Sequence, residues 1–310
     1  MTDRVLQSSH QAIKQGSKSF ATAARLFPSE IRDDASMLYA WCRHCDDEID
    51  GQVMGHGAVG LKAEIGAAKL RELRERTRSA LDGAAQDNAV FAAFQRVARR
   101  HAIPAEDAMG LLRGFEMDVE GRRYDTLADT MDYAYHVAGV VGVMMARIMG
   151  VESRDVLRRA QDLGLAFQLT NIARDVVEDA GGGRVYLPAR WLEEEGVATG
   201  AVADPANREA VARVATRLVA AAEPYYESAR WGLRDLPIRC AWAIATARGV
   251  YRAIGHRVVD AGAQAWERRI STGRASKAAL LALGGLTALR SGTFDRLRAP
   301  PPRPTLWTRI

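Results

Sequence analysis

Two segments of this 310-residue chain carry aspartates four residues apart. In the first, Tyr39, Arg43, Asp46 and Asp50 step by four, three and four. In the second, Gly164, Gln168, Asn171 and Asp175 repeat those steps, and Asp179 extends the line. At about 3.6 residues per turn such residues share one helix face. An apolar line runs beside each: Leu38, Cys42, Cys45 and Ile49, then Leu165, Leu169, Ile172 and Val176. Each segment is therefore an amphipathic helix with carboxylates at the edge of its buried stripe. Like charges at i and i+4 repel, at a cost of a few tenths of a kcal/mol. One such pair is ordinary on a solvated face. Two pairs, each preceded by amide, Tyr or Arg groups, call for a shared partner.

The simplest partner is a hard divalent cation. Mg²⁺ takes one or two carboxylates and fills its octahedron with water and phosphate oxygens. Asp46, Asp50, Asp175 and Asp179 are the candidate metal ligands. Asn171 and Gln168 are poor choices for a helix surface but good oxygen ligands and hydrogen-bond donors, and Asn171 is added to the metal set. Arg43 and Arg174 are placed to clamp phosphate bidentately. Together these groups would ionise a diphosphate, with metal and guanidinium holding the departing charge.

The elements that must position them read as helices. Val5 to Phe27 is helical in pattern, interrupted near Gly16 and Ser17, and Pro28 stops it. Ser29 offers an N-cap, with Glu30 and Asp33 in the first turn. That helix runs to about Asp50, where Gly51 closes it, and Gly51 to Gly60 is a loop. Further helices are expected over Leu61–Leu81, Asn88–His101, Ala105–Phe115, Asp129–Met149 and Ser153–Asp179. Gly181, Gly182 and Gly183 then break the pattern, as a helix stop or as the hinge of a flap, before the loop Arg184–Pro188. Helices resume over Ala189–Glu195, Asn207–Leu233 and Ile238–Ala261. Alternating strand patterns and solenoid repeats are absent, and no linker divides the chain. The expectation is one all-α domain over 1–310, with about 1–15 and 298–310 as peripheral tails. The proline-rich stretch from Pro300 to Pro304 is expected to be extended.

Composition narrows the function. Hydrophobic residues are 48% and charged residues 26%, ordinary for a globular protein. A net charge of +5, spread without a basic tract, excludes a nucleic-acid partner and suits anionic small molecules or an acidic membrane surface. Three cysteines, Cys42, Cys45 and Cys240, make no disulfide framework. Cys42 and Cys45 have zinc-like spacing but lack a second ligand pair, so core packing is the better reading. The start of the chain lacks the apolar region of a signal peptide. The longest apolar stretch, Ala278–Leu289, is too short to span a bilayer and holds Gly284 and Gly285. A cytoplasmic protein, able to touch membranes from outside, is expected.

The motifs resemble the squalene/phytoene synthase family. The aspartate segments read D-D-E-I-D and N-I-A-R-D-V-V-E-D. Around them stand G-S-K-S-F (Gly16–Phe20), Y-A-W-C-R (Tyr39–Arg43), Y-H-V-A-G-V-V-G (Tyr135–Gly142) and G-R-V-Y-L-P (Gly183–Pro188). Within the family the chain looks most similar to bacterial phytoene synthases, including W-A-I-A-T-A at Trp242–Ala247. The resemblance implies an all-α isoprenoid (terpenoid) synthase fold, a single helical bundle with a central cavity. It implies head-to-head condensation of two geranylgeranyl diphosphates through a cyclopropylcarbinyl diphosphate. It also implies Mg²⁺, with substitution by Mn²⁺ left open, and no NADPH. Arg43, Gln168, Asn171 and Arg174 would position diphosphate and water, with Ser17 and Ser19 near the same mouth. Tyr39, Tyr133 and Tyr186 would lie near the reacting carbons or the pyrophosphate. Tyr251 and Arg268 would be C-terminal diphosphate contacts, with Arg269 competing for the last role. Phe20 and Ala24 lie one turn apart, and the small Ala24 would leave depth for a twenty-carbon tail.

Plainer readings stand beside these. Asp47 and Glu48 lie off the Asp46/Asp50 line, and Glu178 neighbours it on the second helix. Tyr133, Val137, Val140 and Met144 form a stripe that serves core or cavity wall equally. Gly139 and Gly142 allow close packing or prenyl space, and His136 suits a packed core position. The alternatives are a farnesyl-diphosphate enzyme making squalene or dehydrosqualene, a head-to-tail prenyltransferase or terpene cyclase, and a non-catalytic helical assembly factor. The Gly16–Phe20 and Tyr135–Gly142 blocks speak against the second, and the intact aspartates against the third.

Overall fold

The first aspartate line lies on a 22-residue helix, α1 (Ser29–Asp50), in the computed structural model, which describes residues 9, 23–51 and 63–310. Its apolar stripe is buried: Leu38 and Cys45 are inaccessible, and Trp41 stacks on Phe94 with centroids 4.1 Å apart. Phe94 belongs to α3 (Ala89–Arg100), which follows α2 (Ala63–Leu81). Gly51 ends α1 in the left-handed region (φ 63°), donating its N–H to Asp47 O, as a C-terminal glycine should. The start differs from expectation by one residue. Pro28 occupies the cap position, and no side chain caps the helix. The first helical bond runs from Arg32 N–H to Pro28 O, so Ser29 is already inside.

Helix α4 (Ala105–Val119) outruns its expected end at Phe115 and so carries Asp118. The helix expected over 129–149 is interrupted. It divides into α5 (Leu127–Ala134), a π-helical turn (Tyr135–Gly139) and α6 (Val140–Ile148). A π turn inserts a residue into the ladder and shifts the faces beyond it, so Tyr133 and Met144 do not continue one stripe. The second aspartate line lies on α7 (Arg154–Gly181), the longest helix described. It packs against α6, the π turn, α9 (Arg208–Gly232) and α10 (Ile238–Ala261). A buried hydroxyl pair, Thr170 Oγ1 and Tyr226 OH at 2.7 Å, ties α7 to α9. The short α8 (Ala189–Glu194) precedes α9. Among the described residues there is no strand.

The C-terminal part holds two features that the sequence pattern did not single out. The apolar stretch after Gly273 is a full helix, α11 (Arg274–Thr293), lying along α10. Its glycines are crossing points. A Cβ on Gly284 would meet Thr246 Oγ1 at 2.4 Å, and one on Gly285 would press the Trp242 ring at 3.3 Å. The tail from 298 stays at the surface but is anchored to the bundle. It is extended around its prolines, yet Arg303 forks onto Asp162, which is fully buried, at 2.7 and 2.8 Å. Trp307 lies beside Tyr135, and Arg309 pairs with Asp132. The tail is thus a strap across the first half of α7 and the π turn.

Candidate functional site

On α1, Arg43 reaches Asp46 Oδ2 and Asp47 Oδ1, each at 2.9 Å. On α7, Arg174 forks onto Asp175, with Nε 2.9 Å from Oδ1 and Nη2 2.5 Å from Oδ2. Arg269 approaches the same carboxylate at 3.6 Å and Glu178 at 3.3 Å. Arg268, the residue favoured from sequence, is exposed, and its neighbour makes these contacts. Glu48 turns away to Lys69.

Two residues that sequence reasoning did not single out join the aspartate lines. Arg184, in the loop after the three glycines, forks onto Asp50 at 2.5 and 3.2 Å. Asp118, from the last turn of α4, accepts hydrogen bonds from Tyr186 OH at 2.8 Å and Tyr133 OH at 3.0 Å. Those two rings stack at 4.5 Å, and both are buried. Asp118 lies in the field of Arg184 and Asp50, and its own charge reaches Asp46 and Asp179. The two aspartate pairs therefore share one electrostatic site, with Asp118 and Arg184 between them. No single-helix pattern could reveal Asp118; the available signal was Gly121 (φ 60°), which marks the true end of α4.

The α10 wall closes another side. Tyr251 stacks on Phe167 of α7 at 4.1 Å and lies in the field of Arg174 and Asp175. Tyr39 of α1 feels both Arg43 and Tyr251. Ala24 is buried in the core, next to the turn that ends at Phe27. Arg239 of α10 holds that turn through Leu26 O and Phe27 O. Ser17, Ser19 and Phe20 lie outside the described residues. His136 is a packed core histidine, its Nδ1 donating to Gly110 O at 2.7 Å. Cys42, Cys45 and Cys240 are free thiols.

The acids are crowded and poorly hydrated. Burial pushes Asp46 up to about 7, against the pull of Arg43, with Asp50 adding to the rise. Asp179 is pushed up to about 8 by burial and then by Asp175. Asp118 rises to about 6 through burial, although Arg184 and the two phenols oppose it. Burial raises the Tyr39 phenol to about 12 and lifts those of Tyr133 and Tyr186 well above the usual phenol range. At neutral pH these phenols stay protonated and act as donors.

Such a cluster fits a divalent cation. Buried carboxylates with raised pKa values gain most from added positive charge. Asn171 Oδ1 is buried without a hydrogen-bond partner among the described residues, on the face that carries Asp175. Among those residues, no three His, Cys, Asp or Glu side chains gather closely enough to cage a metal alone. A cation held here would draw the rest of its shell from water and substrate oxygens, as Mg²⁺ does.

The sequence profile of the family described as squalene/phytoene synthase matches residues 13–276. A 15-cis-phytoene synthase of Pantoea ananas is 52% identical, with 98% of each chain covered. One from Paracoccus sp. (strain N81106 / MBIC 01143) is 53% identical, covering 100% of this chain and 99% of that one. Among solved structures, a dehydrosqualene synthase superimposes with a TM-score of 0.82 at 27% identity, over 93% of this chain and 98% of that one. A squalene synthase from Alicyclobacillus acidocaldarius gives 0.73 at 24% identity, over 83% and 94%. The fold is that of the isoprenoid synthases.

Proposed function

The chain belongs to the squalene/phytoene synthase family, and we propose that it is a phytoene synthase that joins two geranylgeranyl diphosphates head to head. The observation that carries the reading is the single charged cluster formed by both aspartate pairs, Asp118 and Arg184. Full-length similarity to relatives named phytoene synthase supports the product class.

In this reading Asp46, Asp50, Asn171, Asp175 and Asp179 hold Mg²⁺, which neutralises the charge of the leaving diphosphate. Before substrate arrives, Arg43 and Arg174 are engaged by Asp46, Asp47 and Asp175. The diphosphates then compete for the same guanidinium forks, which suit phosphate as well as carboxylate. Arg269 adds a donor beside Asp175, and Gln168 orients water beside Asn171. Tyr39 and Tyr251 keep their protons and donate to phosphate oxygen. One substrate ionises at C1 and releases diphosphate, the double bond of the other attacks the allylic cation, and loss of a proton from the cation so formed closes a three-membered ring. The resulting cyclopropylcarbinyl diphosphate ionises in turn, rearranges and loses a proton, with no NADPH needed. Tyr133 and Tyr186, locked together on Asp118, present stacked faces rather than bases. The loop from Gly181 to Pro188 excludes water from the cation, with Arg184 latching it to Asp50.

The superposition on a dehydrosqualene synthase favours one second reading, the use of farnesyl diphosphate. Purified protein with Mg²⁺ and no NADPH should turn geranylgeranyl diphosphate into a forty-carbon hydrocarbon, identified by mass spectrometry. A thirty-carbon product from farnesyl diphosphate alone would reassign the substrate, and no hydrocarbon from either would sink the enzyme reading. No described helix is long and apolar enough to cross a membrane; peripheral association with one belongs to this proposal.

A further inference from the structure

Seven large hydrophobic residues among those described are strongly exposed, and five of them lie between 283 and 297. Leu283, Leu286 and Leu289 are 58, 64 and 57% accessible, and Phe294 and Leu297 reach 69 and 85%. Ile238, a sixth, adjoins them, because a Cβ added at Gly292 would stand 3.6 Å from its Cδ1. Spacings of three along α11 put the leucines on one face, opposite Gly284 and Ala288, which are buried. Ala275, Ala278, Ala279 and Ala282 extend the exposed face toward the start of the helix. Contiguous exposed apolar surface of this kind marks a site of interaction.

We propose that the outer face of α11, with the turn through Leu297, is a lipid-docking surface that lays this enzyme on an anionic membrane. Charge selects the occupant. Between 274 and 298 the sequence has Arg274, Lys277, Arg290, Arg296 and Arg298 against one acid, Asp295. Asp295 is turned inward, 4% accessible and paired with Arg230, while Arg290 stands 64% exposed beside the leucines. Within 274–298 no acid is exposed, and Asp235, 47% accessible in the turn packed against α11, has Arg234 beside it. An apolar face with this excess of cations matches acyl chains beneath anionic headgroups. At 20 residues α11 is about 30 Å long, yet it does not qualify as a membrane span, so it lies flat. Its inner face is fixed to α10 through Trp242 Nε1–H to Leu281 O at 2.8 Å and the close approach of Gly284 to Thr246. α10 carries Tyr251 at the charged cluster. The lipid surface is thus one helix layer from the site. The choice of lipid over a protein partner rests in part on the proposed reaction, whose hydrocarbon product must leave for an apolar phase.

Flotation of the full chain with vesicles, in the absence of substrate, tests this. Phosphatidylglycerol/phosphatidylcholine vesicles should carry the protein at low salt, and pure phosphatidylcholine should carry much less. Leu283→Glu/Leu286→Glu should cut binding to anionic vesicles by about tenfold or more. Arg290→Glu should weaken it and flatten its salt dependence. Ile65→Glu, at the exposed hydrophobe remote in sequence, should bind as wild type does. Circular dichroism checks folding, and Leu297→Glu serves as a second variant if the double one melts early. Equal flotation of wild type and both leucine-face variants would overturn the proposal. So would a dimer in size-exclusion chromatography that these substitutions split while vesicle binding is unchanged, since a second copy would then cover the face. Because flotation needs no turnover, failure of the proposed reaction leaves it readable, and failed flotation leaves the product assay intact.

Discussion

Gly164→Ala tests how α7 is set in place. A Cβ at Gly164 would stand 2.3 Å from Ala138 O, 2.7 Å from Ala138 C and 2.7 Å from Gly139 Cα. All three are main-chain atoms of the π turn, so none can swing away. Opposite them, a Cβ on Gly142 would meet Ala160 O at 2.5 Å. The two segments therefore cross in backbone contact. The new methyl falls about 0.7 Å inside the 3.0 Å that Cβ atoms keep, and α7 must back away by about that much or more. Alanine gains about 1 kcal/mol of helix propensity over glycine. Overpacking against rigid backbone costs about 3 kcal/mol or slightly more. The net loss is about 2 kcal/mol, or roughly 3 °C in Tm for a chain of this length. Gln168, Asn171 and Asp175 lie one to three turns further along the same helix. A shift approaching 1 Å there costs roughly 100-fold in turnover, much more than the unfolded fraction explains. Differential scanning fluorimetry and steady-state product assays read the two effects separately, and kcat should fall more than KM rises. Gly181→Ala, on the same helix with open space at its Cβ, is the stability control. If Gly164→Ala melts and turns over as wild type does, the close crossing does not position the second aspartate line.

Other outcomes follow from individual contacts. Arg303→Ala strips a fully buried carboxylate of its guanidinium, leaving Asp162 only Ser228 Oγ–H at 2.5 Å. An unpaired buried charge costs about 3 kcal/mol, so Tm should fall by roughly 5 °C and partly recover with added Asp162→Asn; an unchanged Tm would mean the strap is not part of the cooperative fold. Asp118, Asp46 and Asp179 have folded pKa values of about 6, 7 and 8, above the ordinary 3.8. The metal-free fold holds these protons more tightly than the unfolded chain. Their contribution is thus complete below about pH 4 and is lost as pH rises through 6 to 8. Mg²⁺ must displace the same protons, so its thermal stabilisation should grow from pH 6 to 8.5; a shift that shrinks over that range contradicts the assigned ligands. Ala24→Phe should lower the use of geranylgeranyl relative to farnesyl diphosphate several-fold in competition assays. An unchanged ratio removes Ala24 from chain-length choice.

The lines of Asp46/Asp50 and Asp175/Asp179 could be read from sequence because each lies on one uninterrupted helix, where spacing alone dictates the face. What escaped were features that exist only between elements. Asp118 has no partner on its own helix; Tyr133, Tyr186 and Arg184 reach it from other parts of the chain. Glycine was legible only in part. The pattern along one helix allows Gly139 and Gly142 a close-packing role but does not say what Gly284 and Gly285 meet. In the fold they stand inside α11, where a side chain would strike Thr246 or Trp242 of α10. Gly114 in α4 is the same case, since its Cβ would come within 2.6 Å of Val137 in the π turn. A helix-interior glycine costs about 1 kcal/mol against alanine, and here that cost is offset by helices brought into backbone contact. Gly164 joins both kinds of residue. It begins the polar line that ends at Asp179, and it is also where α7 touches the π turn. The line predicts which face carries the chemistry. The bare Cα at its start fixes how far that face stands from the rest of the site, a distance set by the partner segment that no periodicity within α7 contains.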